Sequence, residues 1–215
     1  MSDYNEMKKY VLEKVNRRAE GYRNEPELIG SEYKREKELG RSYKGREILE
    51  LIQNAEDELS DNLPKEIAIS FDGKELRISN YGDPFSEEGV TALMYSNSSD
   101  KEQRKRKVIG NKGTGFRSIL GWADEITIHS ENLHIKFSDA HAQEVLHKCV
   151  LDKSKISNRL KSATLTFPEW IDETDTSDFT TVITLKVKKD DRVINDIRSQ
   201  LGYKLEKRDI ALTIV

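Results

Sequence analysis

The chain has 215 residues, 35% charged and 35% hydrophobic, with a formal net charge of −3, which fits one sizeable domain with a polar surface and argues against a strongly basic nucleic-acid-binding footprint. A single cysteine, Cys149, excludes an internal disulfide and suits a reducing compartment. No apolar run approaches the ~20 residues that span a bilayer, and "MSDYNEMKKY" lacks the apolar centre of a secretory signal, so a soluble, cytoplasmic protein with no membrane partner is expected.

Residues 1–44 are dense in charge and helical in character. Tyr10, Val11 and Val15 offer a narrow apolar stripe, and Pro26 and Gly30 are expected to break the stretch. One or two helices are predicted there, packed on the domain edge or reaching a partner. Residues 46–60 are predicted as a helix with two unlike faces: Ile48, Ile52, Ala55 and Leu59 form a core stripe. Glu50, Asn54 and Asp57 fall together on the other side. Asn54 sits mid-helix, where its amide competes with the backbone and costs some stability. "KEIAISFDGKELRIS" reads as two strands joined at Asp72-Gly73, and "EEGVTALMY" as a short helix capped by Ser86.

Residues 95–108, "YSNSSDKEQRKRKV", are almost free of apolar side chains and are predicted as a mobile loop. "IGNKGTGFRSILGWA" is a glycine-rich turn running into a helix. "DEITIHS", "LHIKFS", "SATLTF" and "TTVITLKVK" are predicted strands, and "DRVINDIRSQLG" a last helix. The chain then stops on "LEKRDIALTIV", an apolar, β-prone run that reads as a closing strand or as the cut edge of a longer protein. Helices and hairpins alternate without strict βαβ spacing, which favours an α+β layered sandwich over a doubly wound sheet.

Two further stretches carry chemistry. Gly110, Gly113 and Gly115 in "IGNKGTGF" let backbone amides turn toward an anion, helped by the helix that follows; a tight turn alone is the plainer reading. The pattern is neither a Walker loop nor a dinucleotide fingerprint. In "RISNYGDPF" a strand ends at Asn80 and the chain turns at Gly82, which suits a pocket wall or ordinary turn chemistry. No Ser-His-Asp triad is evident, and the four histidines lack metal-ligand spacing.

Taken in order, these segments resemble the GHKL superfamily of ATPases, named for gyrase, the heat-shock chaperones, histidine kinases and MutL. The chaperone-like and sacsin-type branch is the closest in appearance. "ELIQNAED" looks like the N-box, "NYGDPF" like the variant first box, "IGNKGTGFRSILGWADEITI" like the second glycine box, and "TTVITL" like the closing threonine strand. The resemblance covers about residues 44–190. It implies a Bergerat-type two-layer α/β sandwich, with a mixed, mostly antiparallel sheet and helices on one face. It also implies ATP and Mg2+ as ligands. The expected organisation is a charged helical extension over 1–44, an ATP-binding domain over 45–190, and a helix opening a following region over 191–215.

By the same resemblance Glu50 matches the general base, Asn54 the magnesium ligand and Asp57 an N-box acid near the nucleotide. Asn80 stands where most members carry an aspartate that accepts the adenine amino proton; an amide also donates, so base selectivity is open on this reading. Thr181 matches the threonine supporting that contact, and Gly82 lets the backbone approach the base. Gly110, Gly113 and Gly115 would hold phosphates, with Lys112 adding a point charge. Residues 95–108 would be the lid, with Ser98, Ser99 and Lys101 as phosphate contacts. The run "KEQRKRK" has three readings: merely solvated, closing over the triphosphate, or touching nucleic acid. The expected function is a Mg-dependent ATPase head of a larger protein. Lid closure would drive its cycle, with dimerisation on nucleotide binding and contacts to downstream domains. The alternative is a nucleotide-sensing interaction module with little or no hydrolysis.

Overall fold

Every second residue of the central strands is apolar, and that alternation commits the sheet to one buried face. The structure, a computed structural model, describes residues 4–95, 115–149, 160–202 and 211–214. In chain order these form helices α1 (Tyr4–Asn24), α2 (Glu27–Ser42) and α3 (Glu47–Asp57), strands β1 (Glu66–Phe71) and β2 (Glu75–Asn80), and helix α4 (Glu87–Met94). A 3-10 helix (Gly115–Gly121) then leads into β3 (Ala123–Ser130), β4 (Leu133–Ser138) and α5 (Asp139–Cys149). A 3-10 turn (Thr164–Thr166), β5 (Glu169–Trp170), β6 (Thr181–Val187), α6 (Asp191–Leu201) and β7 (Ala211–Ile214) complete the order. The strands make one sheet, ordered β5-β4-β3-β6-β2-β1-β7. Neighbours are antiparallel except β1 and β7, which run parallel. The expected α+β class and mixed, mostly antiparallel sheet are therefore observed. Among the described residues no helix is long and apolar enough to cross a membrane.

Three rows of side chains cross the buried face. Leu76, Leu185, Ile126 and Phe137 stand in register, followed by Ile69, Ile78, Ile183, Ile128 and Ile135. The third row is Ile67, Asn80, Thr181, Ser130 and Leu133, so its centre is polar. All these side chains are buried. Covering them are Ile48, Leu51, Ile52 and Ala55 of α3, Val90, Leu93 and Met94 of α4, Phe116 and Ile119 of the 3-10 helix, and Met7 and Val11 of α1. Each large aliphatic group buried this way contributes about 1.5–3 kcal/mol. A smaller cluster joins Tyr22, Ile29, Leu146 and Phe167. Beside it the buried Arg18–Glu32 pair accepts a hydrogen bond from the Tyr22 hydroxyl at 2.6 Å. The opposite face of the sheet carries the half-exposed Arg77, Thr127, His129 and Thr184. Residues 171–180 run across it: Asp175 pairs with Arg77, and the Glu173 carbonyl meets His129.

Local signals explain most boundaries. Pro26 separates α1 from α2. At the β1–β2 turn Gly73 takes φ +91°, and Asp72 Oδ1 accepts from the amides of Lys74 and Glu75 at 2.7 and 2.8 Å. Ser86 caps α4, its hydroxyl accepting from Gly89 N at 3.1 Å.

Four expectations are corrected. Gly30 does not break the chain; α2 runs through it, anchored by the buried Ile29 beside it. "SATLTF" is not a strand. The amides of Thr164 and Leu165 donate to the buried Glu36 carboxylate of α2, at 2.7 and 3.0 Å, so a tertiary acceptor replaces a neighbouring strand. The segment after the glycine run is 3-10 rather than α-helical. Helix α5 had no counterpart; its buried residues Ala142, Leu146 and Cys149 have helical spacing, but among charged and histidine neighbours the pattern is thin.

Gly82 fixes where α3 ends against the β2 exit. A Cβ there would collide with the backbone carbonyl of Glu58, while the next amide, Asp83 N, donates to that same carbonyl at 2.8 Å. Backbone cannot swing aside, so Gly82→Ala is expected to destabilise the fold by about 1–3 kcal/mol. Gly21, inside α1, has nothing within 4 Å of its notional Cβ. Gly21→Ala should therefore stabilise by about 0.5–1 kcal/mol. Denaturant titration of the two variants should move the midpoint in opposite directions.

A pH dependence follows from β3. His129 Nε2 lies 3.0 Å from the Glu173 carbonyl, which only accepts, so Nε2 carries the proton and the buried Nδ1 has no partner. Burial chiefly holds this imidazole below its ordinary value; the Glu173 carbonyl and Asp175 oppose the shift, and His134 and Arg77 assist it. The unfolded chain therefore binds this proton more readily than the fold, so its contribution is complete above about pH 6.5 and is lost as pH falls below it. Melting temperature should drop between about pH 7.5 and 5.5, and less steeply in His129→Gln, which keeps an N–H for the Glu173 carbonyl.

Candidate functional site

A cavity of about 250 Å³ opens between α3, α4 and the buried sheet face, where the third row of side chains turns polar. Leu51, Ala55, Ile78, Leu93, Phe116 and Ile183 make its apolar walls. Asn80 and Thr181, each only 4% exposed, make its polar wall on the sheet side, and Asp83 and Ser86 border it toward α4. The first two are register partners, Asn80 closing β2 and Thr181 opening β6. Thr181 Oγ1 is 2.7 Å from Ser130 Oγ, which accepts from Phe85 N at 2.9 Å. The hydroxyls are thereby satisfied within the protein. Asn80 is not: its Nδ2 is buried and has no hydrogen-bond partner among the described residues. Leaving such a donor unmet costs about 1–3 kcal/mol. That cost marks the spot as one awaiting an acceptor.

Helix α3 links this cavity to a second feature. Leu51, Asn54, Ala55 and Glu58 of α3 all border the cavity. One turn earlier, Glu50 is turned to the 3-10 helix, its side chain 13% exposed. A Cβ on Gly115 would land on the Glu50 carboxylate, so the missing side chain of Gly115 is what gives that carboxylate its place. Phe116 then returns to the cavity wall. Arg117 fixes the segment by donating from Nη2 to the Leu93 carbonyl at 2.8 Å; burial holds its guanidinium below the ordinary value, against the opposing pull of Glu36. The predicted polar face of α3 thus meets the end of the glycine run at Glu50 and the cavity at Asn54. As a 3-10 helix of seven residues, the segment brings a weaker aligned dipole than the α-helix expected there. Anion binding at this turn would rest on individual amides.

The remaining predicted residues are placed as follows. Asp57 is exposed and does not border the cavity. Gly82 makes its close approach to the Glu58 carbonyl rather than to the cavity. Ser98, Ser99, Lys101, Gly110, Lys112 and Gly113 lie outside the described residues, as does the lid beyond Tyr95.

Sequence reasoning missed Ser130, Glu58 and Arg46. Ser130 is found only through strand register, which no local pattern supplies. Arg46 was legible: it lies four residues before Glu50, and its Nη2 is 3.5 Å from Glu50 Oε1. The Arg46 side chain is 59% exposed, so the pair contributes little stability, yet it brings a cation to the rim beside the carboxylate.

A larger depression of about 520 Å³ lies between α2, the 3-10 helix and α6. Its acidic walls are already satisfied: Glu36 by two backbone amides, Glu47 by Gln200 Nε2 at 2.6 Å. None of the described residues among the predicted site residues borders it.

Chemically, the smaller cavity suits a flat heteroaromatic group, with apolar walls for its faces and an amide for its edge. Glu50 can accept a proton, Asn54 offers a hard amide oxygen for a cation, and both lie on one face of α3. The sequence matches no model of a known protein family and no curated protein.

Proposed function

We propose that the chain binds ATP with Mg2+, the base in the 250 Å³ cavity and the phosphates toward the Glu50–Gly115 contact, and that it hydrolyses the nucleotide. The observation carrying this reading is the continuity of α3: one helical face gives Asn54 to the cavity and, a turn away, Glu50 to the glycine turn. The volume is near the lower end of the ~300–1,000 Å³ typical of ligand pockets, suited to a base more than to a whole nucleotide. The unpartnered Asn80 amide supports the fit, because a heterocyclic base edge supplies what it lacks. The resemblance to GHKL ATPases assigns the same residues the same roles.

Each residue has a distinct task in this mechanism. Asn80 and the apolar walls hold the base edge and faces. The Asn54 oxygen helps hold Mg2+, which neutralises phosphate charge when bound. Glu50 orients a water and takes its proton. Arg46, beside Glu50, adds positive charge at the mouth. With a lid over the triphosphate, the protein would be an ATPase head for a larger assembly.

Isothermal titration with ATP should show binding that tightens with Mg2+ in the wild type and loses that dependence in Asn54→Ala. Glu50→Ala should keep ATP affinity and lower phosphate release by about 10²–10⁴-fold. Gly115→Ala displaces the Glu50 carboxylate and crowds its Cβ, 3.2 Å from the added methyl, so it should bind ATP yet hydrolyse it more slowly. Binding with no Glu50-dependent turnover would identify a nucleotide-sensing module instead, and no binding would remove the reading altogether.

A further inference from the structure

The state of Asn80 says more about the ligand than that a base fits. Its side chain is 4% exposed and borders the cavity. Nδ2 is cut off from solvent and makes no hydrogen bond among the described residues. The two hydroxyls beside it in the row, Thr181 and Ser130, are bonded to each other at 2.7 Å. They do not fix which way the amide faces. A carboxamide carries a donor and an acceptor side by side in one plane, and half a turn exchanges them.

The matching ligand edge must therefore also place a donor next to an acceptor. A 6-aminopurine does so, its amino group donating and its N1 accepting. A 6-oxopurine does so in the reverse order, its O6 accepting and its N1–H donating. A carboxylate in this position would only accept, so against either edge it would gain one hydrogen bond, from the amino group or from N1–H, and face one unmatched acceptor. We infer that Asn80 makes the pocket read the six-membered edge of a purine without regard to whether it is amino or oxo, so the site takes adenine and hypoxanthine or guanine nucleotides alike. This inference rests on the nucleotide reading above and assigns its base selectivity to one side chain.

Inosine triphosphate is the cleanest probe, since it exchanges the edge without adding the 2-amino group of guanine. Titration of the whole chain with ATP and with ITP, at one Mg2+ concentration, should give dissociation constants within about threefold of each other. Asn80→Leu, which removes donor and acceptor together, should weaken ATP and ITP alike by about tenfold or more, the worth of one paired base edge. A wild type that prefers ATP by about tenfold or more overturns the inference without any variant. So does an Asn80→Leu protein that binds both triphosphates as tightly as the wild type. In both cases ATP still binds and the nucleotide reading stands. If the wild type binds neither triphosphate, that reading falls and takes the inference with it.

Discussion

An amide held inside an apolar sheet face, without a partner, is the constraint around which the rest of the site is arranged. The rows above Asn80 are wholly aliphatic or aromatic, and a leucine at position 80 would extend them. Asn80 Nδ2 instead remains buried and unmet. On stability alone this is the wrong residue in the wrong place. Ser130 and Thr181, also in the third row, show the alternative: polar groups that the fold satisfies internally, through each other and through Phe85 N. The contrast within one row separates structural polarity from polarity left available.

The scaffold around that row is rigid where it matters. Four apolar α3 residues anchor the helix in the core. The Glu58 carbonyl holds its end against the β2 exit, and Gln200 of α6 bonds its start through Ile48 N at 3.2 Å and Glu47 at 2.6 Å. Asn54 and Glu50 therefore move with the core rather than with a loop. Arg117 does the same for the 3-10 helix through the Leu93 carbonyl. Two elements far apart in the chain are thus pinned independently, and Glu50 meets Gly115 because both anchors agree.

Much of this arrangement was legible in the sequence, and the pattern of what was not has a physical cause. The two faces of α3, the Asp72-Gly73 hairpin, the Ser86 cap, and Asn80 and Thr181 at opposite strand ends all follow from local spacing and turn chemistry. What escaped depends on long-range pairing. Ser130 joins Thr181 only once β3 is known to neighbour β6. "SATLTF" has strand-like composition, but Glu36, from a helix more than a hundred residues earlier, takes its amides. Asp57 failed differently. It shares a helical face with Glu50 and Asn54 on a wheel, but the cavity lies along the flank of α3 formed by Leu51, Asn54, Ala55 and Glu58, and of the three Asp57 sits furthest round from that flank.

On the proposed reading, binding and hydrolysis would draw on different parts of this scaffold. The base cavity is formed by buried, mutually packed side chains, and Asn80 is held there by strand register on both sides. The Glu50 end is built from a carboxylate that owes its position to the absence of a side chain at Gly115, with a largely exposed arginine alongside. The first resists change, because altering it disturbs the core. The second shifts with a single methyl group and leaves the core alone. On the proposed reading, nucleotide affinity and turnover are therefore separable.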